Sequence, residues 1–215
     1  MAGDREMTLQ GLRARVFRGG PPWLFRWNSA FVGELSQVPE VALRGERLRV
    51  RWAGPEDVEL LAQVRPRRSS FAKHFGMGHR CALGFMGETP VSMNWLSRGR
   101  CHESQANRYL FDCGADGAWS TEDFVHPDHR RRGHFAKHLA GLMDLLAGEG
   151  ITRLYCAMIA DDRRSLGAHQ RAGYRLIFRL HTARVVGVTL HRIQDLRSGR
   201  TSLAMGVWRG TGALP

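Results

Sequence analysis

The stretch HPDHRRRGHFAKH, residues 126–138, gathers four histidines and four basic residues into thirteen positions. Those residue types support three chemistries. His134 and His138 stand at i and i+4 on one helical face, a spacing that can hold zinc, and His126 and His129 precede them three apart. The run Arg130, Arg131 and Arg132 can meet nucleic-acid phosphates. A strand that leads through a glycine into a helix can instead cradle a pyrophosphate. The zinc reading lacks a glutamate between the two helical histidines, has no cysteine nearby, and has its first pair split by Pro127. No metal is expected. The nucleic-acid reading lacks any helix-turn-helix, zinc-finger or RNP-like signature, so nucleic acid is not the expected partner.

Composition narrows the partner class without naming it. Lysine and arginine outnumber aspartate and glutamate by 32 to 20, giving a net charge of +12. Such a balance favours polyanions: nucleic acid, phosphorylated cofactors or anionic membrane surfaces. The arginines are spread along the chain and form no tail, so charge alone does not choose among these. Apolar and charged fractions of 43% and 24% are those of a folded protein. No apolar run reaches the roughly eighteen residues of a membrane span, and no signal-peptide core opens the chain, so a cytoplasmic protein is expected. Cys81, Cys101, Cys113 and Cys156 form no CxxC pair and read as reduced, buried thiols.

The elements that must position the motif follow from periodicity. Residues 1–46 carry a Gly-Gly-Pro-Pro break and read as an N-terminal extension without a regular element at GGPPWLFRW, packed on a main domain at 47–215 through Trp23, Phe25 and Trp27. LRVRW alternates as a strand, and AGPEDVELLAQV starts as a helix with Pro55 in its first turn. RCALGFMGETPVSMNWLS reads as a hairpin turning at GETP, and residues 98–108 as loop. GAWSTEDFV is a strand candidate leading into the motif. Beyond it, Phe135, Leu139, Leu142, Met143 and Leu146 line one face of a helix that stops at Gly148 and Gly150. ITRLYCAMIA suits a central strand, DDRRSLGAHQRAGY a short capped helix, and YRLIFRLHTARVVGVTLHRI one or two long strands. The alternation predicts an α/β or α+β fold with a partly parallel sheet.

In that context the phosphate reading prevails. The helix following HPDHRRRG has backbone N–H groups without intrahelical partners and a positive dipole end. Gly133 allows close approach, and three arginines add full charges. FVHPDHRRRGHFAKHL resembles the acyl-CoA-binding motif of the GNAT superfamily of N-acyltransferases: Val125 and Pro127 match, then Arg130, Arg131, Arg132, Gly133 and His134. Phe135 stands where the family prefers a small residue. DDRRSLGAHQRAGYR is similar to the family's second signature, with Asp162 in place of asparagine, Ser165 matching, and His169 at the tyrosine position. The likeness is strong over residues 117–178, weaker over 48–97, and silent on 1–46 and beyond about 195.

The resemblance implies a mixed, largely antiparallel central sheet with a parallel pair at the cofactor site and flanking helices. It implies acetyl-CoA or another acyl-CoA as co-substrate, held by Phe124, Val125, Arg130, Arg131, Arg132, Gly133, His134, Phe135, Ala136, Asp162 and Ser165. The implied reaction moves an acyl group to a primary amine, such as an amino sugar or another small amine, by direct attack in a ternary complex. An amine with a pKa near 10 must first lose a proton. Glu122 is the candidate base and Asp123 its alternative on the opposite strand face. His169 is the candidate proton donor, or the base. Asp162 either contacts the pantetheine or caps its helix. Acceptor choice falls to the stretch RPRRSSFAKHFGMGHR, residues 65–80, read as a loop, to NWLSRGRCHES and to the C-terminal strands; a homodimer is left open, and the competing reading is a degenerate fold that binds CoA or nucleic acid without turnover.

Overall fold

The computed structural model describes residues 25–97, 101–104 and 109–212. Nine strands form one sheet in the order β11-β10-β9-β1-β8-β7-β4-β3-β2. In chain order these are β1 (Phe25–Leu35), β2 (Arg49–Ala53), β3 (Arg80–Met86), β4 (Thr89–Leu96), β7 (Gly117–Val125), β8 (Arg153–Ile159), β9 (Arg175–Val185), β10 (Val188–Asp195) and β11 (Thr201–Met205). A second sheet, ordered β12-β6-β5, joins β5 (Cys101–Ser104), β6 (Tyr109–Asp112) and β12 (Trp208–Thr211). Among the described residues four α-helices accompany them: α1 (Val58–Val64), α2 (Arg68–Gly76), α3 (His134–Ala147) and α4 (Arg163–Arg171). In the large sheet all pairings are antiparallel except β7 with β8. The mixed, mostly antiparallel sheet with one parallel pair is the expected fold class.

Both faces of the central strands are covered, which is why β3 and β4 read as near-continuous apolar runs. α1 and α2 lie over one face through Leu61, Val64 and Phe71, against Trp95 and Met93. α3 lies over the other through Leu139, Leu142 and Leu146, against Leu96, Leu154 and Cys156. The small sheet closes a third cluster of Phe111, Trp119, Tyr155, Phe178 and Trp208. Each fully buried Leu or Phe contributes about 1.5–3 kcal/mol relative to exposure.

Three expectations are corrected. Residues 25–35, assigned to an irregular extension, form an eleven-residue strand lying between β8 and β9 at the sheet centre. The strand mixes polar Arg26, Asn28, Ser29 and Glu34 with an apolar run Ala30-Phe31-Val32, so it carries no regular alternation, and the preceding Gly-Gly-Pro-Pro break argues against a regular element there. Residues 68–76, assigned to loop, form α2, whose Phe71 and Phe75 both reach the Trp95 ring, at 6.1 and 4.9 Å between centroids. Two aromatics among arginine, serine and lysine leave almost no amphipathic signal. The loop at 98–108 contains β5, whose side chains lie outside the described residues.

Gly173 ends α4 with φ 105°, and a Cβ there would stand 2.6 Å from the Gln37 carbonyl oxygen and 2.8 Å from Pro39. The positive φ and the crowding both demand glycine. Gly173→Ala should cost about 1–3 kcal/mol, seen as a lower denaturation midpoint at unchanged m value.

Candidate functional site

The site begins where two strands stop pairing. β7 and β8 run parallel and pair from Gly117 with Arg153 to Ser120 with Cys156. Beyond that point β7 continues to Val125 on β4, while β8 continues to Ile159 on β1. The strands part and leave a gap edged by unpaired backbone. His126 N–H donates to the Val91 carbonyl at 2.9 Å, so by strand alternation Phe124 also faces β4 and Val125 faces the gap. The Val125 carbonyl is taken by Arg130 Nε at 3.0 Å. Its N–H points into the gap. Of the two amides singled out in the sequence, the structure turns Val125 to the gap and Phe124 to the ladder with β4.

At the mouth of the gap, Pro127–His129 makes one turn of 3-10 helix and α3 follows. Arg131 has φ 62° and Gly133 φ 76°, two left-handed residues that curl the loop into a concavity of backbone N–H groups. Gly133 occupies the cap position and supplies no side-chain cap. The ladder's Lys137 N–H donates back to the Gly133 carbonyl, so the N–H groups of His134, Phe135 and Ala136 have no acceptor within the helix. A Cβ on Gly133 would meet nothing closer than 3.8 Å, so the space in front is open. Arg131 and Arg132 are exposed beside it. Arg130 is turned back, its guanidinium 5.1 Å from the Phe124 ring. Both ring nitrogens of buried His134 lack a protein partner, and burial, foremost, lowers its pKa. An uncapped, basic, concave helix start fits a pyrophosphate.

Beneath the gap, on the α3–α4 face, lies a buried polar cluster. Asp123 accepts from Asn94 Nδ2, and from Ser120 Oγ at 3.1 Å. His169 Nε2 stands 3.4 Å from the same carboxylate, and Nδ1 stands 2.8 Å from the Ser165 carbonyl. Both ring nitrogens therefore face acceptors, which is the arrangement an imidazolium satisfies. Burial is the largest single influence and opposes that charge; hydrogen bonding and charge from Asp123 and Cys156 together outweigh it and raise His169 to about 11. Phe135 packs edge-on against the His169 ring at 4.8 Å. Asp162 caps α4, its Oδ1 accepting from Ser165 N–H at 3.0 Å. Cys156 lies in the same layer, and burial pushes its thiol up, so it is no thiolate nucleophile. His138, the second histidine of the zinc spacing, is fully committed to the interior: its Nδ1 is 2.7 Å from Ser92 Oγ, and burial lowers it to about 4. Among the described residues no cluster of three or more histidine, cysteine, aspartate or glutamate side chains could hold a metal.

The opposite face, under α1 and α2, holds Glu122. Its carboxylate pairs with Arg65 and lies 3.6 Å from His74 Nε2. His74 stacks on Trp95 at 4.6 Å, and its Nδ1 is 2.9 Å from His79 Nδ1. Burial, then the neighbouring His79, Lys73 and Arg65, lower His74, so its imidazole is neutral at pH 7. Glu122 keeps 25% of its side chain exposed and Asp123 only 14%. The two candidate acids are thus separated by the sheet, one toward solvent and one sealed. Arg65, His74 and His79 were not singled out in the sequence, although they lie in the stretch expected to shape the acceptor site. Spacing alone cannot show that α2 folds them back onto β7.

The parting parallel pair, with an uncapped basic helix start at its mouth, decides the architecture. It is the fold that the resemblance to the GNAT superfamily implies. A functionally unknown conserved protein from Staphylococcus epidermidis superposes with a TM-score of 0.50 at 10% identity, over 84% of this chain and 68% of that one. A GNAT-family protein from Novosphingobium aromaticivorans gives 0.47 at 14%, over 74% of this chain and 63% of that chain. The ribosomal-protein-S18-alanine N-acetyltransferase of Escherichia coli gives 0.44 at 14%, over 61% and 77%. The likeness is one of fold, and the chain spans less than two thirds of the Novosphingobium protein. No family model and no curated protein matches the sequence.

The ion pair under the gap has a pH signature. His169 is raised in the fold above its ordinary 6.5, so its stabilisation is complete below pH 6.5 and is lost as pH rises toward about 11. His169→Gln leaves Asp123 without its counter-charge and should cost about 3–5 kcal/mol near pH 6. The difference in melting temperature from the parent protein should shrink steadily between pH 6.5 and 10. A difference constant over that range would show that His169 is not charged against Asp123.

Proposed function

We propose that the protein is an acyl-CoA-dependent N-acyltransferase, most simply an acetyltransferase, acting on a primary amine by direct attack. The observation that carries this reading is the uncapped, arginine-flanked start of α3 at the mouth of the gap between β7 and β8. The N–H groups of His134, Phe135 and Ala136 and the side chains of Arg131 and Arg132 hold the pyrophosphate. Ser165 and Asp162, at the start of α4, border the pantetheine path. Bound acyl-CoA supplies the thioester. Val125 N–H donates to the acyl carbonyl oxygen and stabilises the negative charge that develops there as the amine nitrogen adds; the C–S bond then breaks, and coenzyme A leaves as a thiolate that takes a proton from solvent.

The amine enters from the α1–α2 face. Glu122 and neutral His74 face one another there, and together they take the ammonium proton, which passes through the imidazole to His79 and solvent. Arg65 fixes the carboxylate. Asp123 and His169 hold the floor of the gap from below and position β7 against α4. The cationic surroundings of α2, with Arg67, Arg68 and Lys73, favour an amine that also carries an anionic group, such as a phosphorylated amino sugar.

Acetyl-CoA at a hundred times its dissociation constant should stabilise the protein by about 2.7 kcal/mol, read as a thermal shift. Free thiol should then appear with at least one member of a panel of primary amines. Stabilisation without thiol release for any amine would favour the non-catalytic CoA-binding module. No stabilisation would overturn the reading. Replacing Arg131 and Arg132 together by alanine should weaken cofactor binding with little change in turnover at saturation. Glu122→Gln should instead lower turnover by roughly 10²–10⁴-fold at unchanged acetyl-CoA stabilisation. Because His74 is lowered, the acid limb of kcat/KM should have its midpoint below pH 6.5.

A further inference from the structure

Among the described residues, helices cover only half of the α3–α4 face of the large sheet. α3 packs on β2, β4 and β7, and α4 packs on β8. The same face of β1, β9, β10 and β11 presents an ordered set of side chains, and the register aligns them in rows. The first row is Trp27, Ala183, Leu190 and Met205. The second is Ser29, His181, Arg192 and Leu203, and the third is Phe31, Arg179, Gln194 and Thr201. Ahead of the first row lie Val185 and Val188, which close the β9–β10 hairpin through Val186 and Gly187. Trp27, Leu190, Leu203 and Met205 are all exposed, the last two at 81% and 75%.

The hairpin tip is chemically odd. Val186 and Gly187 have φ 47° and 82°, both positive, as a two-residue hairpin turn of the I′ kind requires. Asparagine, aspartate or glycine fits the first position without strain; a β-branched valine does not. Val186 is also 67% exposed. Neither local conformation nor burial in the fold rewards a valine there. An apolar tip that is costly to the free protein points to an apolar environment at the tip.

The rows behind the tip give the second half of the argument. Arg192 and Arg179 follow the apolar row, and none of the twelve aligned residues is a carboxylate. Burial and those two guanidiniums lower His181, which marks the field there as positive. Trp27 sits at the boundary, its ring 5.8 Å from His181. An apolar tip, a boundary tryptophan and a basic band behind them form the order in which a peripheral protein meets an anionic lipid surface. A second copy of this chain would set the same basic band against itself under a net charge of +12.

We infer that the β9–β10 hairpin tip and the adjoining exposed apolar residues Trp27, Leu190, Leu203 and Met205 dock on an anionic membrane surface, with Arg179 and Arg192 contacting lipid headgroups. No helix of the described residues is long and apolar enough to span a bilayer. This surface lies on different strands from the β7–β8 gap, and the inference holds whether or not the acyltransferase reading does.

The test is co-sedimentation of the full chain with phosphatidylglycerol–phosphatidylcholine vesicles and with phosphatidylcholine vesicles, at low and at 0.5 M salt. Binding should be confined to the anionic vesicles and fall sharply with salt. Arg192→Gln should weaken it about fivefold at low salt. Leu203→Ser with Met205→Ser should weaken it more than tenfold with little loss of thermal stability, since both side chains are exposed. Val186→Asn is the most telling variant: it should raise the melting temperature by relieving the turn and weaken vesicle binding at the same time. Absence of binding, equal binding to neutral vesicles, or binding unaffected by all of these variants would overturn the inference. So would concentration-dependent dimerisation, in sedimentation velocity without lipid, that the Leu203 and Met205 changes abolish.

Discussion

Four residue pairs of parallel ladder, Gly117–Ser120 against Arg153–Cys156, and then none, form the constraint on which the rest of this structure depends. A parallel pair that continued would satisfy its own N–H and C=O groups and leave no place for a ligand. Here each strand is drawn away by its other neighbour, β7 by β4 and β8 by β1. The parting therefore needs no strain in either strand. It follows from which antiparallel partner each strand holds beyond the last shared bond. The unpaired edge of Val125 and the open start of α3 then face the same space, because α3 follows β7 after one short turn.

The two faces of β7 divide the chemistry. Adjacent residues in a strand point to opposite sides, so Glu122 and Asp123 enter different environments one peptide apart. Asp123 goes to a sealed layer where only a matched cation and donated hydrogen bonds make a carboxylate tolerable. Glu122 goes to a half-open layer where its partners are a neutral imidazole and an arginine. The sealed pair holds geometry, and the open one is free to exchange protons.

Much of this was legible in the sequence, and the illegible parts share a cause. The motif strand, the cradle and its helix stood out because a strand, a proline, a glycine and an amphipathic repeat follow one another within about thirty residues, and their interactions are local. The cap formed by Asp162 is legible for the same reason, since its partner is Ser165. By contrast, nothing within a few positions of Phe25–Leu35 indicates that its partners are β8 and β9. The pairing of Glu122 with Arg65 and His74, and the closure of Asp123 by Asn94 and Ser120, depend on which elements the topology stacks. His169 illustrates the limit: its place in the second signature is visible, while the charge it carries is set by a carboxylate on another element.

The central position of β1 has a consequence for how the chain assembles. Within the large sheet it is hydrogen-bonded to β8 on one side and β9 on the other, so among the described residues it is the strand that joins the half of that sheet bordering the gap to β9–β11. Emerging early from the ribosome, it must wait while the chain runs from Leu35 to Arg153 before its first partner exists. Closing so long a loop carries an entropic cost that grows only slowly with length, but it defers the reward of non-local contacts and slows folding. During that interval β1, with Trp27, Phe31 and Val32 uncovered, is an adhesive, unpaired strand on an unfinished protein. The last-made strands are thus joined to the site by one of the first, and synthesis order, as much as the final contacts, decides whether the sheet closes as one.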